Sequence, residues 1–121
     1  MAVILIVEDD LFISQLAEMT IQDWGHETLL ANDVGEAMTI LRGPGHIDAL
    51  FTDIYLKADV LGGCEVADEA LKLRPDLRVL YTTGNMVTEK VRAMFAKGAH
   101  CLAKPYTDEQ LHDCVDDMLA A

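Results

Sequence analysis

Apolar positions along this chain change their period repeatedly, short continuous runs alternating with helical stripes. Residues 2–7 (AVILIV) form an uninterrupted run rich in Val and Ile, the pattern of a buried strand. From Leu11 the period lengthens: Ile13, Leu16, Ala17, Ile21 and Trp24 fall on one helical stripe, and Gly25 follows as a stop. Residues 27–31 form a short second strand. Asp33 with Glu36 resembles a capping box, opening a helix whose inner face is Val34, Ala37, Met38 and Leu41 and which ends at Gly43-Pro44-Gly45. The third strand is 48–52. A loop from Asp53 to Gly63 leads to a helix ending near Leu73, closed by Arg74-Pro75. Residues 77–82 make the fourth strand, and Val87, Val91, Met94 and Phe95 mark a fourth helix that stops at Gly98. The fifth strand is 99–103. Thr107-x-x-Gln110 caps a last helix with Leu111, Cys114, Val115, Met118 and Leu119 inward.

Strict strand–helix alternation with short connections gives right-handed crossovers, hence an α/β fold with a parallel sheet and helices on both faces. The Leu, Val and Met stripes are then core, not cofactor boxes. The same pattern places chemistry. The first strand runs into Glu8-Asp9-Asp10, the third into Asp53, the fourth into Thr83 and the fifth into Lys104-Pro105. Carboxyl ends of neighbouring parallel strands lie along one sheet edge, where open α/β sheets bind ligands.

Composition narrows the options. The chain has 121 residues, the size of one domain, and the pattern accounts for 1–121 without a linker or second domain after residue 120. The strand that opens right after Met1 favours a natural N-terminus. Asp and Glu outnumber Lys and Arg 21 to 9, for a net charge of −12. That balance argues against binding a phosphate backbone, which needs clustered Lys and Arg, and so against nucleic acid. No apolar stretch reaches the roughly 18 residues that span a bilayer, and MAVILIV lacks the basic flank and cleavage site of a signal peptide. A cytoplasmic protein without a membrane partner is expected. Cys64, Cys101 and Cys114 are odd in number and widely spaced, so no disulfide framework is expected, and Cys101 and Cys114 read as small core residues. His26, His46, His100 and His112 lack metal-ligand spacing and read as surface or half-buried side chains.

Glu8, Asp9 and Asp53 at one edge repel each other unless a cation is present, and an oxygen-rich cluster of this kind suits Mg²⁺. The plainer alternative is that Glu8, Asp9 and Asp10 only cap the first helix. It leaves Asp53 unexplained, and Asp10 is the member assigned to capping. Asp53 is the candidate nucleophile, since a carboxylate attacks a phosphoryl group when cations neutralise the equatorial oxygens. Lys104 offers a fixed positive charge and Thr83 a hydroxyl donor. Pro105 is a candidate cis residue that could aim Lys104 inward.

ILIVEDD, Asp53 within LFTDIYL, VLYTTG and AKPY together resemble response-regulator receiver domains, in order and over essentially the whole chain. The resemblance implies a flavodoxin-like, doubly wound (βα)5 sheet with strand order 2-1-3-4-5. It implies phosphotransfer from a histidine kinase or histidine phosphotransfer protein onto Asp53. Mg²⁺ would be held by Asp9, Asp53 and a backbone carbonyl, that of Tyr55. Glu8 would assist through water, while Thr83 and Lys104 would contact the phosphoryl oxygens. Output would pass to another protein through the helix 4, strand 5 and helix 5 face, with no turnover of an external substrate.

Three departures stand out. Receivers commonly carry Pro four residues after the phosphorylated Asp, and here that place is Lys57; the loop also runs on through Ala58, Asp59, Val60 and Leu61, about two residues longer than is common. Cys101 occupies the place of the usual switching aromatic, which removes a ring flip there and leaves the fourth loop and helix as the expected route of change. Tyr55 and Asn85 occupy positions that in the family influence the lifetime of the aspartyl phosphate. The rivals are a small Mg²⁺-dependent phosphatase, a flavin-binding module, a receiver that works without phosphorylation, and a fragment of a larger regulator or hybrid kinase. Such phosphatases want a second Asp where Tyr55 stands, and no phosphate loop for a flavin follows the first strand.

Overall fold

The computed structural model describes residues 1–57 and 60–120. Strands and helices alternate as β1 (Val3–Val7), α1 (Leu11–Asp23), β2 (Glu27–Ala31), α2 (Val34–Arg42), β3 (Ala49–Asp53), α3 (Gly62–Leu73), β4 (Arg78–Thr83), α4 (Glu89–Arg92), β5 (His100–Ala103) and α5 (Asp108–Ala120). All strand pairs are parallel, in the order β2-β1-β3-β4-β5, so the flavodoxin-like topology is observed. The chain turns outward from β1 to β2 and then crosses to β3 on the other side. The crevice between the ends of β1 and β3 is therefore the switch point at which such sheets bind ligands.

Side chains of a strand alternate between faces. Leu5, Val7, Leu50, Val79 and Tyr81 pack beneath Ala37, Met38 and Leu41 of α2 and Cys64, Val66, Ala67 and Ala70 of α3. Ile4, Ile6, Ala49, Phe51, Leu80 and Leu102 pack beneath Ala17 and Ile21 of α1 and Leu111, Val115 and Met118 of α5. Burial on both faces explains why β1 and β3 read as unbroken apolar runs. Cys101 and Cys114 sit half-buried against these two clusters, and Cys64 is buried.

The helix ends follow their local sequence. Asp10 caps α1, accepting the Ile13 N–H at 3.1 Å, and Gly25 follows the helix at φ +89°, a left-handed conformation that glycine adopts without a Cβ penalty. Asp33 accepts the Glu36 N–H at 2.7 Å, while Glu36 reaches back to the Asn32 N–H at 2.6 Å. Thr107 and Gln110 exchange hydrogen bonds of 2.9 and 3.1 Å.

Two expectations need correction. Leu16, assigned to the inner stripe of α1, is 49% exposed, and Ser14 is buried in its place. The covered arc is narrower than the apolar stripe. The fourth helix is a single turn, Glu89–Arg92, not a helix through Phe95. Beyond it, the Met94 and Phe95 N–H groups bond three residues back, to Val91 and Arg92, and the Ala96 N–H leaves the helix for the Tyr81 hydroxyl. The ladder has thus tightened before Ala96, whose N–H is taken by a side chain of β4. Within the loop from Asp53 to Gly63, Ala58 and Asp59 lie outside the described residues. No helix among the described residues is long and apolar enough to cross a membrane.

Candidate functional site

The sheet brings the predicted residues together at its carboxyl edge. Glu8 follows β1 and Asp53 ends β3; both side chains face inward, at 4% and 7% exposure. One carboxylate oxygen from each of Glu8, Asp9 and Asp53 lies within 4.8 Å of the others. Lys104, just past β5, places Nζ 2.9 Å from Glu8 Oε2 and 2.9 Å from Asp53 Oδ2. Its backbone is fastened as well, the N–H donating to the Thr83 carbonyl at 2.8 Å. The Lys104–Pro105 peptide bond is cis, as expected of Pro105.

The electrostatics are unbalanced. Three carboxylates meet one ammonium, a formal excess of two negative charges. Burial raises the Glu8 pKa above the ordinary carboxylate value, helped by the Asp53 charge and opposed by the hydrogen bonds from Lys104 and the Asp10 N–H. Burial pulls the Lys104 ammonium the other way, toward neutrality. The Glu8 and Asp53 carboxylates override it and hold its pKa above the usual lysine value. A compact, oxygen-lined, net-negative group fits a small divalent cation such as Mg²⁺, which suits few carboxylates and retained waters. Asp9 and Asp53 can offer oxygens directly. Glu8 already uses Oε1 on the Asp10 N–H and Oε2 on Lys104, so its contact with Lys104 is direct.

Backbone contacts decide the rest. Asp9 Oδ2 accepts the Lys57 N–H. A proline at that place has no N–H to give, so the first departure from the receiver pattern supplies a bond that the common residue cannot make. The chain from Asp53 to Lys57 therefore returns to the cluster, with Tyr55 midway, half-buried and packed against the α2–α3 core. Gly63, at the start of α3, lies against the Asp53 main chain. A Cβ there would stand 1.9 Å from the Asp53 carbonyl oxygen and 2.9 Å from Ile54 Cα, and its N–H donates to the Ile54 carbonyl at 3.0 Å. In the sequence, Gly63 reads only as a loop end. The pair of glycines closing that loop was the one available signal.

Thr83 ends β4 beside the cluster, but its hydroxyl accepts the Asn85 N–H at 3.0 Å and bonds none of the three carboxylates. Asp10 is occupied as the α1 cap, as expected. A groove of about 490 Å³ continues from Lys104 between α1 and α5, lined by Ile13, Leu16, Pro105, Tyr106 and Leu111. Tyr106 is the residue on that wall whose burial pushes its phenol pKa up to about 12.

A family model described as "Response regulator receiver domain" matches residues 4–116. The chain is 29% identical over 110 residues to the uncharacterized transcriptional regulatory protein YrkP of Bacillus subtilis, covering 90% of this chain and 46% of that protein. It is 30% identical over 111 residues to the nitrogen assimilation regulatory protein NtrX of Azorhizobium caulinodans, covering 89% of this chain and 24% of the relative. The chain thus spans less than half the length of these relatives. Among solved structures, a response regulator receiver protein from Sinorhizobium medicae superposes with a TM-score of 0.90 at 25% identity, over 99% of this chain and 95% of that one.

Proposed function

The chain belongs to the response regulator receiver domain family, and from that premise we propose that it is a phosphorylation switch of two-component signalling whose phospho-acceptor is Asp53. The observation that carries this reading is the buried Asp53 carboxylate, flanked by Glu8 and Asp9 and bonded to Lys104. The donor is a phosphohistidine on a histidine kinase or phosphotransfer protein. An Asp53 carboxylate oxygen forms the new bond to phosphorus as the nitrogen–phosphorus bond breaks; the electron pair of that bond leaves with the imidazole, which departs neutral because its other ring nitrogen already carries a proton. Asp9, Asp53 and the Tyr55 carbonyl would hold Mg²⁺, which supplies charge neutralisation for the phosphoryl oxygens.

The chain's own residues do the remainder. Lys104 already reaches Asp53 Oδ2 and needs only to turn toward a phosphoryl oxygen. Thr83 accepts the Asn85 N–H through its oxygen, which leaves its O–H free to donate to another once the hydroxyl turns toward the phosphoryl group. The apolar groove beside Lys104 gives a donor protein a surface continuous with the mouth of the site. Output runs by protein contact through α4, β5 and α5, in the cytoplasm, without nucleic acid contact by these residues and without turnover of an outside substrate.

The test is intact mass after incubation with Mg²⁺ and acetyl phosphate. One phosphoryl adduct is expected, lost with Asp53→Asn or EDTA. An adduct that persists in Asp53→Asn would disprove the assignment. So would a chain that neither takes up phosphate nor binds beryllofluoride.

A further inference from the structure

β4 points Thr83 and, two residues earlier, Tyr81 to the same sheet face. Tyr81 is fully buried and has no part in the carboxylate cluster. Its ring stacks on Phe95, with centroids 4.4 Å apart and planes inclined by 30°. Its hydroxyl accepts the Ala96 N–H at 3.0 Å. Opposite it in the β4–β5 register stands Cys101, small enough to leave the ring its space. The stretch from Asn85 to Ala96 is therefore tied to one strand at both ends. Thr83 takes the Asn85 N–H at one end and Tyr81 takes the Ala96 N–H at the other. Between the two ties, α4 has no buried residue.

We infer that Tyr81 is the positioning residue that holds the Asn85–Ala96 segment in its unphosphorylated arrangement, and that engagement of Thr83 by a phosphoryl group on Asp53 releases the Tyr81–Ala96 bond. The inference rests on the phosphorylation reading above. Both ties belong to one short segment. When Thr83 turns its O–H toward a phosphoryl group on Asp53, the oxygen that accepts the Asn85 N–H moves with it, and the shift of the segment bears on the tie at its other end. Linkage fixes the sign: a bond present only in the unphosphorylated arrangement opposes occupancy of the site by the free energy that it contributes. Tyr81→Phe keeps the ring and deletes the acceptor, so it removes the hold without emptying the core.

The test uses the whole chain with Mg²⁺ and beryllofluoride as the phosphoryl mimic, reading affinity by titration and the Ala96 amide by hydrogen exchange. Tyr81→Phe should bind beryllofluoride about fivefold tighter than the unmutated chain, the fold-change expected for one lost buried hydrogen bond. In the unmutated chain, beryllofluoride should speed exchange at Ala96 by about tenfold. A merely structural tyrosine would not tighten binding. Equal or weaker binding by Tyr81→Phe overturns the inference, as does an Ala96 amide equally protected with and without the mimic. The exchange measurement decides even if the variant fails to fold. An unmutated chain that binds no beryllofluoride removes the phosphorylation reading too, whereas binding without any effect of Tyr81 removes the positioning role alone.

Discussion

The two edges of this sheet use charge in opposite ways. At the amino edge, Asp48 accepts the Val3 N–H at 2.8 Å and pairs with His46 at 2.7 Å. Arg74 donates to the Leu41 and Gly43 carbonyls at the end of α2, and Arg78 to the Met118 and Leu119 carbonyls at the end of α5. Those cations sit where helix dipoles favour them. At the carboxyl edge, three carboxylates crowd one ammonium. A cleft of about 570 Å³ opens at the amino edge, yet the guanidinium groups that line it are already committed to carbonyls. Volume does not mark the site; unbalanced charge does.

The largest expected effect tests how tightly the carboxyl edge is assembled. Gly63→Ala would drive a methyl into the Asp53 main chain, where no flexible side chain can give way. A loss of about 3 kcal/mol or more in urea unfolding is expected, with phosphorylation abolished. Gly45, on the loop entering β3, has nothing within 4 Å of the place a methyl would take, and Gly45→Ala should stay within about 0.5 kcal/mol. Equal costs at both glycines would erase the contrast. Next comes Lys104→Met, which leaves the buried carboxylates without their cation and should cost about 2 kcal/mol in EDTA. Added Mg²⁺ should then raise the variant's Tm by more than it raises that of the unmutated chain.

The pH dependence sharpens the same contrast at smaller size. The Val3 N–H, and then His46, hold the Asp48 pKa below its usual 3.8. Its stabilisation is therefore full above that value and fades as pH falls through the lower folded one. Asp48→Ala should lose about 1 kcal/mol near neutrality and nothing in strong acid. Glu8 behaves in reverse. Its pKa is raised above 4.5, so the fold favours the neutral form, and that advantage disappears as pH rises through the folded value. Glu8→Gln in EDTA should match the unmutated chain in acid and exceed it above that range. Thermal melts across pH would read both, and slopes of the same sign would contradict the comparison.

Much of this was legible from residue order. Strand ends locate Glu8, Asp9, Asp53, Thr83 and Lys104 because a parallel sheet puts every carboxyl end on one edge, and the caps at Asp10, Asp33 and Thr107 are spelled out within four residues. What escaped depends on contacts across the fold. Val87, Val91 and Phe95 do pack against the core, but only Val91 lies within the single turn of α4, and the Ala96 N–H beyond it is taken by Tyr81 on another strand. Leu16 lies on an apolar stripe wider than its cover. The Lys57 amide on Asp9 and the approach of Gly63 to Asp53 are backbone events, which side-chain patterns do not encode.

The smallest predicted effect lies at the boundary of the two behaviours. Thr82 and Thr83 are adjacent, and their side chains face opposite sides of the sheet. Thr83 is partnered by Asn85, whereas Thr82 Oγ1, in a residue 3% exposed, has no hydrogen-bond partner among the described residues. Thr82 stands opposite Asp53 in the ladder and borders a cavity of about 10 Å³ shared with Glu8, Ser14 and Tyr106. A buried hydroxyl without a partner carries a desolvation cost, so Thr82→Val should leave stability unchanged or raise it by up to about 0.5 kcal/mol in urea unfolding. A loss above about 1 kcal/mol would mean that the hydroxyl is satisfied by a water of the size that cavity admits. The carboxyl edge would then close its neutral polar groups as completely as the amino edge does, and the contrast would narrow to the carboxylates alone.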